Sequence, residues 1–149
     1  MIVSIVTLSV LLLASSAFAD DDSAHASLMG KWQQSDGNGD NKSAWDLEGA
    51  GDSMHVTNSN GTQTVAAFEC NTVGKECAIE DAGRRARVSM WFNGPKLVEM
   101  ETKGSQVVKR RFSIAGDGDS MELETIPIVP SGKSETAHFK RISSPVAKQ

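Results

Sequence analysis

This sequence predicts an all-β fold, an antiparallel up-and-down meander of eight to nine strands closing into a barrel, and three features carry that prediction. Apolar and polar side chains alternate at period two along most of the chain. Turn-forming groups recur at regular intervals: Asn60-Gly61, Gly74-Lys75, Asn93-Gly94-Pro95, Lys103-Gly104, Gly116-Asp117-Gly118 and Ser131-Gly132. No stretch of helical repeat exceeds two turns. A meander of many short strands avoids exposed edges most simply by curling on itself.

From the N-terminus, MIVSIVTLSVLLLASSAFA holds no charged side chain, and its apolar run ends at Ala17-Phe18-Ala19, a small-residue cleavage pattern. Residues 1–19 are therefore expected as a signal peptide. Export would place the mature chain in the periplasm or outside the cell, with no membrane span after cleavage. Residues 20–27, DDDSAHAS, read as a flexible lead-in, residues 28–142 as a single β-barrel domain and residues 143–149 as a flexible tail.

Ten extended segments are expected within the domain. They cover Leu28 to Gln34, Ser43 to Glu48, Ser53 to Asn58, Thr62 to Cys70, Glu76 to Asp81, Arg84 to Asn93, Lys96 to Lys103, Gln106 to Ala115, Ser120 to Ile126 and Ser134 to Ile142. Merging early pieces into one bent strand leaves eight or nine. Arg84 to Asn93 is the plainest case, with Ala86, Val88, Met90 and Phe92 on one face and Arg85, Arg87 and Ser89 on the other.

The net charge of −4, with acids and bases interspersed, argues against a phosphate backbone or an anionic membrane as partner. Tyrosine is absent, which removes a usual platform for bases and sugars. Cys70 and Cys77 are the chain's two cysteines, too few for structural zinc, and the histidines stand singly. Six residues separate the cysteines, with Asn-Thr-Val-Gly-Lys between them reading as a turn, so a C-x-x-C redox motif does not fit. A disulfide closing a hairpin is expected, contributing about 2.5 kcal/mol at most by loop-closure entropy.

At the first strand, Leu28-Met29-Gly30-Lys31-Trp32 followed by a strand meander resembles the opening of lipocalin-like (calycin) barrels. The resemblance implies that Trp32, set by Gly30, lies across the closed end beneath an arginine of the last strand. Arg141 is the residue in that place, shares a face with Ala137 and Phe139, and would cover Trp32 as a cation–π lid. Leu28 to Trp32 also resembles avidins, whose biotin site the missing tyrosines disfavour. The helical pair that follows the first strand in fatty-acid-binding proteins is missing here.

Arg110 shares its face with Val108, Phe112 and Ile114, which points its guanidinium into the barrel. One reading holds it ready for the anionic head group of an amphipathic ligand, as in fatty-acid-binding proteins. The other pairs it internally with Glu99, Glu101 or Glu122. Phe68, Phe92, Phe112 and Phe139 are the expected apolar lining. Asp36 to Asp40 begins like a calcium loop, but Asn41 and Leu47 stand where glycine and glutamate are needed, and Gly116 to Asp119 reads as a turn. Gly132-Lys133-Ser134 lacks the upstream glycine of a phosphate loop. No metal or cofactor is expected.

G-x-S-x-G and H-E-x-x-H do not occur, so the chain reads as non-enzymatic, with a hydrolase or isomerase on the same barrel as a distant alternative. The function expected is binding of a small hydrophobic or amphipathic anionic ligand inside the barrel. The alternative is a barrel that binds another protein through its outer face, as periplasmic lysozyme inhibitors do; Trp91, on the polar face of its strand, is a candidate anchor.

Overall fold

The computed structural model describes residues 18–37 and 39–143. Among these described residues lie one helix and ten strands: α1 (Phe18–Leu28), β1 (Gly30–Gln34), β2 (Ser43–Ala50), β3 (Ser53–Asn60), β4 (Gln63–Asn71), β5 (Cys77–Asp81), β6 (Arg84–Asn93), β7 (Lys96–Lys103), β8 (Gln106–Ile114), β9 (Ser120–Val129) and β10 (Glu135–Ser143). Every strand pairs antiparallel with its neighbour in sequence, and β1 pairs with β10 to close the barrel. The all-β meander is as expected, but the strands number ten and not eight or nine. The early pieces stay separate because Gly51 adopts φ 60°, open to glycine at little cost, so β2 and β3 reverse through a tight hairpin.

Residues 20–27, expected as a loose lead-in, lie in α1. Its sequence has no apolar stripe to announce a helix. Asp21 and Asp22 lie in its first two turns, where the helix dipole favours acids. Tertiary anchors hold it: the His25 ring stacks on Phe92 with centroids 3.7 Å apart, and His25 Nε2 lies 2.7 Å from the Gly94 carbonyl oxygen. The expected leader, residues 1–19, falls outside the described residues apart from its last two positions, and so does the tail beyond Ser143. Among the described residues, no helix is long and apolar enough to cross a membrane.

Alternate side chains turn inward to form one core, including Trp32, Leu47, Val56, Val88, Met90, Leu97, Phe112, Met121 and Phe139. Helix α1 covers the end of the barrel at which the β6–β7 and β8–β9 hairpins lie. There Trp32 Nε1 donates to the Leu28 carbonyl at 2.9 Å, and the Arg141 guanidinium carbon stands 4.1 Å from the Trp32 ring centre. Arg141 also donates to the carbonyls of Ser27 at 2.6 Å, Met29 at 2.8 Å and Gly118 at 3.3 Å. One side chain thus ties α1, β1, β10 and the β8–β9 hairpin together.

Arg141→Met keeps the length and apolar stem of the side chain but leaves those carbonyls without their donor. It is expected to cost roughly 2–4 kcal/mol in urea unfolding. A loss within experimental error would mean that water replaces the guanidinium at no cost.

Candidate functional site

The barrel wall is thinnest between β4 and β5. Along that seam a single pair, Ala66 with Asp81, keeps ladder register, next to the bond from Ala82 N–H to the Val65 carbonyl at 2.9 Å. At the seam's other end the Cys70–Cys77 disulfide joins the strands with Cα atoms 5.8 Å apart. The local cause is the chain after β4. Asn71 Oδ1 accepts from the amides of Val73 at 3.2 Å and Lys75 at 3.0 Å, curling residues 71–75 into a turn. Val73 then bridges Trp91, and Gly74 N–H donates to the Met90 carbonyl at 2.8 Å. That turn occupies the end of the β6 edge, and β5 begins only at Cys77.

A cavity of about 800 Å³ opens over this seam. Inward-facing Phe68, Ile79 and Ala86 form its floor, and the outward-facing Glu69, Glu80, Arg85 and Arg87 stand around its rim. The volume lies in the range of roughly 300–1,000 Å³ common for small-molecule sites.

Inside the barrel lies a layer of charge. Inward positions of β7 carry Glu99, Glu101 and Lys103. Arg110 Nη1 on β8 donates to Glu99 Oε1 at 2.6 Å, and its Nη2 stands 3.7 Å from Glu101 Oε1. Lys103 pairs with buried Asp81. Trp45 reaches across from β2, on the far side of the barrel, so that its ring meets Phe112 edge-on at 5.1 Å and lies 5.9 Å from the Arg110 guanidinium carbon. Burial pushes the Glu99 carboxyl above the usual glutamate range, against the pull of Arg110. Burial also disfavours charge on Arg110, but Glu99 and Glu101 outweigh it and hold the guanidinium more firmly protonated than usual.

Of the residues expected to line a ligand site, Phe68 lies at the cavity floor. Phe112 and Phe139 are packed in the core, and Phe92 faces α1 under His25. Arg110 points inward without lining the cavity, and its geometry is that of an internal ion pair with Glu99 and Glu101; Glu122 lies instead beside His138. Trp91 is half-buried outside, in register with Val98 and Val73. Trp45, Ile79, Asp81 and Lys103 were not singled out from the sequence as site residues. The alternation of Leu97, Glu99, Glu101 and Lys103 on one face was the signal available for the charged layer.

Two outcomes follow from this geometry. The Cys70→Ala/Cys77→Ala variant is expected to lose up to about 2.5 kcal/mol in denaturant unfolding, with hydrogen exchange rising first in β4 and β5. Exchange spread evenly over the barrel would mean that the seam is not where the bond acts. For Glu99, the folded chain holds the carboxyl proton more tightly than the unfolded chain. Its stabilising contribution is therefore full below the ordinary value of 4.5 and lost as pH rises through the raised value. Glu99→Gln, always neutral, is expected to flatten the fall in thermal midpoint above about pH 5. Parallel curves for the two proteins would exclude Glu99 as its source.

No family model matches the chain, and no curated protein matches it in sequence. Solved structures do match in fold. Secretory abundant heat soluble protein 4 of Ramazzottius varieornatus superposes with TM-score 0.66 at 17% identity, covering 79% of this chain and 96% of that one. A fatty-acid-binding protein of Schistosoma mansoni, solved with arachidonic acid, gives 0.63 at 16%, covering 80% and 99%. Fatty-acid-binding protein 1 of Echinococcus granulosus gives 0.62 at 9%, covering 78% and 98%. At these identities the likeness is one of fold: this chain forms a ten-stranded barrel similar to those of fatty-acid-binding proteins.

Proposed function

We propose that the protein is an exported, non-enzymatic carrier that holds a small hydrophobic or amphipathic molecule, admitted through the β4–β5 seam. The observation that carries this reading is the 800 Å³ cavity whose floor is Phe68, Ile79 and Ala86, where a single ladder pair joins β4 to β5. Barrels of similar fold include proteins named for fatty-acid binding, which supports the ligand class. The disulfide and the uncharged N-terminal run support export.

Binding is tested with the neutral fluorophore N-phenyl-1-naphthylamine. Ala86→Phe fills the cavity floor at a packing cost of about 1–3 kcal/mol, and is expected to weaken the probe about tenfold or more. Unchanged affinity in the folded variant would remove the cavity from the mechanism.

Protein binding is favoured by a different observation: Val88, Met90, Leu97, Phe112 and Met121 are fully buried, so side chains fill the α1 half of the barrel. Recovery from the native host of a stable protein complex free of small molecules would support this second reading over the first.

A further inference from the structure

Among the described residues, two buried side-chain polar atoms have no hydrogen-bond partner, Trp45 Nε1 and Glu99 Oε2. One is an obligate donor, the other an acceptor. Both belong to side chains set against the same guanidinium: Glu99 grips Arg110 through its other oxygen, and Trp45 presents its ring to Arg110. Leaving either atom unpaired in the interior is costly, and the two orphaned atoms belong to side chains that share Arg110 as a neighbour.

We propose that this pair is the polar end of the ligand site and that it receives a hydroxyl group, which accepts from Trp45 Nε1 and donates to Glu99 Oε2. The inference rests on the reading of the barrel as a carrier of small amphipathic molecules, and names their class: neutral long-chain alcohols or other hydroxyl-tipped lipids, in place of fatty acids.

Charge decides against the carboxylate. Glu99 and Glu101 already face the single guanidinium of Arg110, and Lys103 is engaged by Asp81. Three carboxylates share two cations, so an anionic head group would add a fourth negative charge to a buried layer with no spare positive one. A carboxylate also has no proton with which to satisfy Glu99 Oε2. A hydroxyl supplies one donor and one acceptor, the complement of the two orphaned atoms. The layer reaches the seam through Asp81, which pairs with Lys103 and stands two residues beyond the cavity-floor Ile79 on β5, while Thr102 and Gly104, on either side of Lys103, line the cavity.

The test compares decan-1-ol with decanoate as displacers of N-phenyl-1-naphthylamine, in the wild type, Trp45→Phe and Glu99→Gln. Decanol is expected to bind the wild type about tenfold more tightly than decanoate, the scale of two net hydrogen bonds. Trp45→Phe removes the donor and should erase most of that preference. Glu99→Gln is the sharper variant, because Arg110 retains the amide oxygen and turns the amide N–H₂ toward the orphan position. The site then offers two donors and one less negative charge, so the preference should reverse toward decanoate. If Trp45→Phe fails to fold, the reversal in Glu99→Gln alone decides.

Decanoate binding the wild type as tightly as decanol would overturn the hydroxyl assignment while leaving the carrier reading intact. A decanol preference that both variants retain would also overturn it, since water would then be serving the two atoms. Failure of the probe, decanol and decanoate alike to bind the wild type would overturn the carrier reading and the assignment with it.

Discussion

The rest of the molecule depends on one closing contact, the antiparallel pairing of β1 with β10, in which Trp32 and Arg141 are direct Cα partners. Ten strands laid side by side bury their edges only if the first and last meet. Here the residues that meet also lock the closure, because Arg141 covers Trp32 and reaches the carbonyls of Ser27, Met29 and Gly118. Through those carbonyls a short helix without an apolar stripe becomes part of the fold. The half of the interior away from this end is less hydrophobic.

That half holds the charged layer. Removing Glu99 from water is expensive, and a lone guanidinium would be equally so, but their direct bond, with Glu101 beside it, offsets part of the loss. The balance is incomplete, as the raised Glu99 value indicates. An apolar set of similar volume would pack at lower cost. The layer meets the wall of the seam on β5, where Asp81, the partner of Lys103, stands two residues beyond the cavity-floor Ile79. The thin seam arises for a separate and local reason, the Asn71 turn, with the disulfide joining strands that the ladder does not.

Much of the fold was legible. Strands β6 and β7 run over Arg84–Asn93 and Lys96–Lys103, the spans expected from alternation bounded by Asn93-Gly94 and Lys103-Gly104. The inward direction of Arg110 followed from its neighbours Val108 and Phe112 by the same rule. Less legible was α1, because acids at its start and a histidine at its end are weak signals without an apolar period, and its stability comes from Phe92, Trp32 and Arg141, which are distant in sequence. The seam was also hidden, since β4 and β5 each alternate as paired strands do.

Taken alone, the order of residues determined which side chains point inward and where the chain reverses, because both are properties of a few neighbouring positions: period two sorts faces, and glycine with asparagine or aspartate permits the turns. Only the tertiary structure decided which inward residues meet. Trp45 on β2 confronts Arg110 and Phe112 on β8 across the width of the barrel, and Glu99, not Glu122, takes the guanidinium. Those pairings are set by the curvature and stagger of the whole closed sheet, a property that no segment of the chain contains.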